Sequence, residues 1–285
     1  MNILLTGAEG NFGSEFCRQA KAKNHGNVIS VGRDGWADID DKLKFADVVA
    51  HAASDLRTSA SLAPCRLLNS NVMSTATLLE AARRHRVKRL VYLSSCAVYG
   101  EDMKTGEDRV CCPITINGIS MHLNEKLVAE FCSANGIDYQ ILRVFSTYGG
   151  DDRFSILCRL KNALCNATAF TLNNDGRMQR DFIHVADVAS IVLNLSTANI
   201  KYTHLNIGTG VATKILSLVN LVAARFPQLV IQRGITQEAE YSRADTGRLQ
   251  EFWSERFIRI EDYILENFIP EISAALEYPP TRPPG

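Results

Sequence analysis

The feature that most constrains the fold is a glycine-rich turn close to the N-terminus. Residues 6–13 read TGAEGNFG, between a predicted apolar strand at 3–5 and a predicted helix at 14–23. Glycine permits a tight turn, lets the backbone approach a pyrophosphate, and allows the helix to pack close to the strand. The first N–H groups of the helix then attract phosphate. The turn therefore predicts a dinucleotide-binding site that includes Gly7, Gly10, Asn11, Phe12 and Gly13.

Short apolar segments alternate with helical segments through the first half of the chain. Strands are predicted at 28–31, 47–51, 90–93 and 139–142, and helices at 71–86 and 118–134. This alternation is typical of a parallel sheet with helices on both faces. The sequence therefore predicts an α/β fold with a Rossmann-like, doubly wound sheet.

The second half of the chain is less regular, and residues 173–181 are predicted to form a polar loop. We assign residues 1–147 to the dinucleotide-binding domain, with residues 181–208 returning to it. Residues 148–180 and 209–285 are predicted to form a smaller C-terminal α/β region that binds the substrate. The proline-rich ending YPPTRPPG is predicted to be disordered.

The overall composition narrows the choice of partners. The 31 basic and 31 acidic residues cancel, which argues against a nucleic-acid ligand. No apolar run approaches the length of a membrane helix and no leader-like segment is recognised, so we expect a cytoplasmic protein without a membrane partner. The eight cysteines lack C-x-x-C and zinc-finger spacing, so reduced thiols are expected and no metal site is predicted.

The end of the second predicted strand bears on the choice of cofactor. A site that prefers NAD commonly places Asp or Glu there, because a carboxylate bonds the ribose hydroxyls. This sequence has Gly32 and Arg33 instead. A guanidinium pairs well with a 2′-phosphate, so the sequence favours NADP, with NAD as the alternative.

Several further motifs occur in a consistent order along the chain. They are DVVAHAAS at 47–54, LSSCAVYG at 93–100, LRVFSTYG at 142–149, GRMQRDFIHVADVA at 176–189 and LNIGTG at 205–210. With the glycine turn, they resemble the extended short-chain dehydrogenase/reductases, specifically the NAD-dependent epimerase/dehydratase family that acts on nucleotide sugars. The resemblance covers nearly the whole chain.

The resemblance also implies roles for individual residues. It implies cofactor contacts at Asp38, Ile39, His51, Ala52, Ala53 and Asn71. It implies contacts to a nucleotide-sugar-like substrate at Ser95, Ser146, Arg180 and Arg243, with Ser95 in the place of the active-site Ser or Thr. Relatives pair through the helices that match residues 71–86 and 117–134, so a homodimer is expected.

The chain departs from this family at the proton donor. The family uses the Tyr of YxxxK, and its Lys lowers the pKa of that Tyr. The matching segment here is NGISMHLNEK, residues 117–126, which puts Asn117 at the Tyr position and Met121 at the Lys position. A rival alignment would use His122 and Lys126, but it moves Glu125 and Arg143 out of register.

This departure has a chemical consequence. Asn exchanges no proton near neutral pH, and Met carries no charge that could shift the pKa of a neighbour. General acid–base catalysis typically contributes about 10²–10⁴-fold. The candidate replacements are Cys96, His122, His184 and Tyr148.

Two hypotheses remain open. One is an NAD(P)-dependent nucleotide-sugar epimerase or oxidoreductase with an atypical active site, in which Ser95, Asn117 and Met121 occupy the catalytic positions. The other is an inactive homologue that binds NAD(P) or a sugar nucleotide as a sensor or partner subunit. We favour the enzyme, because the sites for cofactor and sugar phosphate are both retained in the sequence.

Overall fold

The computed structural model describes residues 1–55, 64–101, 104–236 and 239–277, with the side chains of residues 104 and 105 outside that description. In chain order, the strands are β1 (Asn2–Thr6), β2 (Asn27–Val31), β3 (Val48–His51), β4 (Arg89–Ser95), β5 (Lys104–Thr105), β6 (Asp138–Val144), β7 (Ser146–Tyr148), β8 (Phe170–Asn173), β9 (Gln179–His184), β10 (His204–Ile207), β11 (Ala212–Lys214), β12 (Ile231–Gly234) and β13 (Arg243–Ala244).

Helices connect and cover these strands. They are α1 (Asn11–Ala22), α2 (Ile39–Leu43), α3 (Pro64–Leu67), α4 (Ser74–Arg84), α5 (Ile116–Asn135), α6 (Ile156–Cys165), α7 (Val185–Leu195), α8 (Ile215–Arg225), α9 (Gly247–Gln250), α10 (Ile260–Tyr263) and α11 (Ile269–Glu277). Short 3₁₀ turns lie at Asp34–Trp36, Cys96–Tyr99 and Asn174–Gly176, and π-helical turns lie at Leu68–Met73 and Ile264–Phe268.

The main sheet is parallel and has the spatial order β10-β6-β4-β3-β1-β2. Strands β2 and β3 lie on opposite sides of β1, so the chain reverses its direction of travel across the sheet at β1. In such sheets a ligand crevice lies at the carboxyl ends of the strands beside that reversal. Thr6 is in register with both Val31 and His51, so the carboxyl ends of the three strands are level there.

Alternate side chains of β1 enter two separate apolar cores. Leu4 packs with residues of α4 and α5 on one face of the sheet. Ile3 and Leu5 pack with residues of α1 and α7 on the other face. Successive strand residues point to opposite faces, so a strand covered on both sides is apolar throughout. The doubly wound α/β fold predicted from the sequence is therefore confirmed.

A third apolar core lies in the C-terminal half, among residues of α6, β8, α8 and the helices that end the described chain. Smaller sheets β11-β9-β7 and β12-β8 border it. Strand β9 begins at Gln179, inside the segment 173–181 that the sequence predicts as a loop. Strands of three to six residues carry too few alternations to stand out from a polar neighbourhood.

Strand β10 and helix α7 return to the main sheet, where β10 pairs with β6 and α7 packs beside α1. The proline-rich ending at residues 278–285, which the sequence predicts to be disordered, lies outside the described residues. Within the described ranges, no helix is both long enough and apolar enough to cross a membrane.

A buried ion pair attaches α5 to the sheet. Arg143 on β6 donates to both carboxylate oxygens of Glu125 on α5, at 2.8 Å from Nη2 to Oε2 and 3.1 Å from Nε to Oε1. The Ser94 hydroxyl donates to Oε1 at 2.6 Å. Both charged side chains are at most 5% exposed. Because the pair is desolvated, its geometry determines how α5 is rotated against the sheet.

We expect the change Glu125→Ala or Arg143→Ala alone to lower the free energy of unfolding by about 3–5 kcal/mol, since each leaves an uncompensated buried charge. The double change Glu125→Leu with Arg143→Met should cost less than either single change. Urea denaturation measures all three. Arg153→Ala, which removes an exposed pair with Asp151, is the control and should leave the midpoint nearly unchanged. Additive losses would contradict the coupling.

Candidate functional site

The glycine turn is closed by backbone contacts that exclude side chains. Gly7 has a φ of +73°, and a Cβ atom there would lie 2.9 Å from the backbone of Ala52 and Ala53. A Cβ atom at Gly13 would lie 2.2 Å from the Gly7 carbonyl oxygen. Helix α1 starts directly after Gly10, and in the described structure no side chain caps it. Its first N–H groups therefore point into the turn, which suits a pyrophosphate.

A buried histidine supports the turn from below. Thr6 Oγ1 accepts the N–H groups of Ala52 and Ala53, and it lies 2.7 Å from His51 Nδ1. His51 Nε2 lies 2.9 Å from Thr75 Oγ1. Burial lowers the pKa of His51 to about 4, so the ring is neutral. The His51 side chain is fully enclosed, and its bonds position the carboxyl ends of β1 and β3. A contact between His51 and the cofactor stays a prediction.

Asn71 ties the segment after β3 to α5. Its Oδ1 accepts the N–H of Asp55 at 2.7 Å, and its Nδ2 donates to the Asp55 carbonyl and to Ser120 Oγ. Its side chain is buried, with both ends of the amide bonded to protein groups. Asn71 is therefore placed to shape this wall of the site through its neighbours.

The predicted adenosine contacts divide into exposed and buried residues. Arg33 and Asp38 are exposed beside the carboxyl end of β2. Ile39 is 4% exposed and packs in the core under α4. Its side chain is thereby removed from the surface at which the sequence predicts a cofactor contact, because α2 turns that position inward.

Asn11 joins the turn to a distant segment. Its Nδ2 donates to the Gly149 carbonyl at 2.8 Å, and a Cβ atom at Gly150 would lie 2.5 Å from its Oδ1. The neighbouring Phe12 ring packs 5.7 Å from Phe16, between centroids. The LRVFSTYG segment is thereby brought beside the predicted phosphate site.

Ser95 ends β4, and the first turn of α5 packs against the residues that follow it. Ser95 Oγ accepts the N–H of Ala97 at 3.2 Å. A Cβ atom at Gly118 would lie 2.6 Å from the Ala97 carbonyl oxygen. The adjacent Asn117 is buried, and its Oδ1 has no hydrogen-bond partner among the described residues. The Asn117 side-chain oxygen can therefore still accept a hydrogen bond.

Met121 lies against a buried tyrosine that the sequence analysis did not select. The Tyr92 hydroxyl donates to Met121 Sδ at 3.1 Å and accepts from Asn124 Nδ2 at 3.1 Å. Burial raises the pKa of Tyr92 far above its ordinary value, so this phenol stays protonated. The position at which the sequence alignment predicts the family Lys therefore holds a thioether in a neutral network. An isolated Tyr in an apolar strand gives no sequence signal for such a contact.

Two of the candidate replacement groups have structural roles. Tyr148 is buried and donates to the Ile258 carbonyl at 2.7 Å, and burial raises its pKa. His184 Nδ1 accepts the N–H of Ala186 at the start of α7, and its ring packs on Tyr148 and Tyr263. Neither side chain is directed at Ser95 by these bonds.

His122 belongs to a different cluster. Cys111, His122 and Glu125 bring one potential metal ligand each within 4.8 Å of the others. The Glu125 carboxylate is already bonded to Arg143 and Ser94, so a cation there would have to displace a guanidinium. The cluster therefore explains the placement of His122 beside the ion pair without forming a convincing metal site.

Cys96 is the candidate replacement that lies beside Ser95. Its Sγ is 4.0 Å from Ser242 Oγ. Burial raises the pKa of Cys96 to about 11, while the positive charge of Arg180 acts in the opposite direction. At neutral pH the thiol is therefore protonated, so it can donate a proton but is a poor base.

A buried carboxylate gathers the predicted substrate segments. Asp181 is fully buried, and it accepts the N–H groups of Thr209, Gly210 and Ala244 at 2.8–3.0 Å. Arg180 precedes Asp181 on β9 and Arg243 precedes Ala244 on β13, so the bond from Ala244 to Asp181 ties together the two segments that carry these arginines. Ser146 lies on β7, in register with Phe182. The sequence signal for Asp181 is a carboxylate directly before the largely apolar segment FIHV.

Comparisons with known proteins give a matching family model and several similar proteins. Residues 3–208 match the model of the NAD dependent epimerase/dehydratase family. An uncharacterized protein of Methanocaldococcus jannaschii is 29% identical over 210 residues, which cover 70% of this chain and 64% of that protein. A putative UDP-glucose 4-epimerase of the same organism is 28% identical over 250 residues, covering 77% of this chain and 81% of that protein.

A solved structure is similar along nearly its whole length. MoeE5 in complex with UDP-glucuronic acid and NAD has a TM-score of 0.87 and 25% identity, covering 97% of this chain and 100% of that one. In that structure MoeE5 is bound to UDP-glucuronic acid and NAD.

We expect Gly13→Ala to abolish measurable dinucleotide binding, because the added methyl group would collide with the Gly7 carbonyl and open the turn. Titration calorimetry gives the affinity, and a melting curve separates loss of the site from loss of the fold. Gly106→Ala is the matched control, since a Cβ atom there meets only the Asp245 side chain at 3.8 Å. Unchanged affinity in Gly13→Ala would contradict the assignment of the phosphate site.

Proposed function

Because this chain belongs to the NAD-dependent epimerase/dehydratase family, we propose that it binds NAD(P) and a nucleoside diphosphate sugar and acts on that sugar through an atypical active site. The observation that carries the proposal is the retention of both ligand-binding halves around Ser95. One half is the glycine turn. The other half consists of the segments that carry Arg180 and Arg243, which Asp181 holds together. The matched relatives extend beyond the aligned part, so activity and substrate remain part of this proposal.

The residues of this chain have distinct roles in the proposed reaction. The N–H groups that begin α1 bind the cofactor pyrophosphate, and Arg180 and Arg243 bind the sugar diphosphate. Ser95 orients the sugar hydroxyl. The nicotinamide, when bound, supplies a hydride donor or acceptor. Asn117, with its unpaired Oδ1, accepts a hydrogen bond from a sugar hydroxyl but takes no proton from it.

Proton transfer then depends on Cys96. It is the titratable side chain that follows Ser95 directly, and its thiol is protonated at neutral pH because burial raises its pKa to about 11. A protonated thiol serves the reductive direction, in which a sugar ketone gains a proton. In the oxidative direction the thiol is a weak base, so we expect slow turnover.

A second function is favoured by the contact between Met121 and Tyr92. In place of a lysine, a thioether bonded to a neutral phenol lies under the site. Such a site retains binding and lacks a group that lowers the pKa of a proton donor. The chain would then be a ligand-binding sensor or partner subunit without turnover.

We expect the double change Asn117→Tyr with Met121→Lys to raise hydride transfer from UDP-sugars to NAD⁺ by about 10²-fold or more, since it restores a general acid–base pair. NADH absorbance at 340 nm would follow the reaction. The single change Met121→Leu is the control and should give no gain. An unchanged rate in the double variant with both ligands bound would contradict the alignment of residues 117 and 121.

Wild-type turnover decides between the two functions. Turnover that Cys96→Ala abolishes, with ligand affinities unchanged, would support the enzyme and the role of the thiol. Binding of both ligands with no wild-type turnover of UDP-glucose, UDP-glucuronic acid or UDP-N-acetylglucosamine would support the binding protein. Failure to bind either ligand would overturn both.

The proposed homodimer rests on exposed apolar side chains of adjacent helices. They lie on the π-helical turn before α4 and on α5, and they are Leu68 (42% exposed), Met73 (58%), Ile119 (52%) and Leu123 (41%). Large exposed apolar patches commonly mark an interface. We therefore propose that a second copy of the chain covers this surface.

We expect light scattering to give twice the 31.5 kDa chain mass for the wild-type protein. Leu123→Glu should shift the mass to that of the monomer, because a charge at the centre of the patch would be desolvated in the dimer. Ile235→Glu, at an exposed apolar residue elsewhere, is the control and should remain dimeric. A monomeric wild-type protein would rule out the dimer.

A further inference from the structure

The glycine turn reaches the carboxyl end of β2. The N–H groups of Gly7 and Ala8 both donate to the Val31 carbonyl oxygen, at 3.0 and 3.3 Å. These bonds attach the start of the turn to the last residue of β2. Glu9 follows directly, so its side chain starts beside the residues that continue β2.

The Glu9 carboxylate occupies the space over Gly32. A Cβ atom at position 32 would lie 2.0 Å from Glu9 Oε1 and 2.4 Å from its Cδ. Glu9 Oε2 also accepts the backbone N–H of Arg33 at 3.4 Å. Gly32 does not have a left-handed backbone conformation. A side chain at position 32 would therefore displace the Glu9 carboxylate from its present place.

The residue after β2 is the position at which NAD-selective sites carry an acid that bonds the adenosine ribose. We propose that Glu9, reaching across from the phosphate turn, supplies this carboxylate in place of residue 32 and makes the chain selective for NAD. The proposal rests on the proposed binding of a nicotinamide dinucleotide. Its chemistry is simple: the carboxylate accepts hydrogen bonds from ribose hydroxyls and repels a 2′-phosphate at the same place.

Two cationic side chains nearby, Arg33 and Lys42, favour the alternative cofactor, NADP. Arg33 has an exposed side chain, and its backbone N–H is bonded to Glu9. The Lys42 ammonium lies 2.8 Å from where a Cβ atom of Gly35 would stand. A 2′-phosphate could use these cations only while lying beside the Glu9 carboxylate. In the sequence Arg33 alone favours NADP. The Glu9 carboxylate beside Arg33 is seen only in the structure.

Titration calorimetry of NAD⁺ and NADP⁺ with the full chain tests this inference. We expect the wild-type protein to bind NAD⁺ about tenfold more tightly or better, the scale of a hydrogen bond to a charged group. Glu9→Gln keeps the shape and removes the charge, so it should reduce that ratio about tenfold, largely through tighter binding of NADP⁺. Glu266→Gln, at an exposed carboxylate near the C-terminus, is the matched control and should leave the ratio unchanged.

A rescue variant separates selectivity from damage to the turn. Glu9→Ala should lose the preference for NAD⁺, and adding Gly32→Asp in that background should restore it, since the acid then stands on the strand end itself. Wild-type preference for NADP⁺, or a ratio unchanged in Glu9→Gln, would overturn the role of Glu9 while leaving cofactor binding intact. Binding of neither dinucleotide would overturn the proposed function as well.

Discussion

The buried ion pair between Glu125 and Arg143 is the interaction on which the interpretation of the active site depends. It fixes the rotation of α5 against β4 and β6, because two desolvated charges tolerate little movement apart from each other. With that rotation, Gly118 packs on the residues after Ser95 and Met121 faces Tyr92. The alignment that places Asn117 and Met121 at the Tyr and Lys positions keeps Glu125 and Arg143 in register with the family pattern, and the rival assignment of His122 and Lys126 does not.

Buried polar groups also join segments that are far apart in sequence. Thr6, His51 and Thr75 form a neutral hydrogen-bonded chain beneath the glycine turn. Asp181 binds three backbone N–H groups of two other segments, and fully bonded buried carboxylates of this kind hold loops in one arrangement. These groups touch neither ligand in the proposed function. They hold the segments of the proposed site together without using Asn117 or Met121.

The site residues predicted from the sequence all lie within the described residues, and their contacts with ligands stay predictions. Gly7 and Gly13 lie in backbone contacts that only glycine permits. The family resemblance also selects His51 and Ile39, whose side chains are buried. A sequence motif gives the identity of a residue but not the direction of its side chain. Tyr92 and Glu9 were missed because their contacts join residues 24 to 29 positions apart.

The sequence by itself determined the doubly wound sheet, and it predicts the phosphate turn and the replacement of the Tyr–Lys pair by Asn117 and Met121. These follow from local patterns: apolar periodicity, glycine spacing and residue identity at two positions of one helix. Only the tertiary structure decided that Met121 bonds Tyr92, that Cys96 is buried under the influence of the Arg180 charge, and that the Glu9 carboxylate fills the space over Gly32. Burial and electrostatic environment arise from elements that meet across the sheet, and no local pattern encodes them.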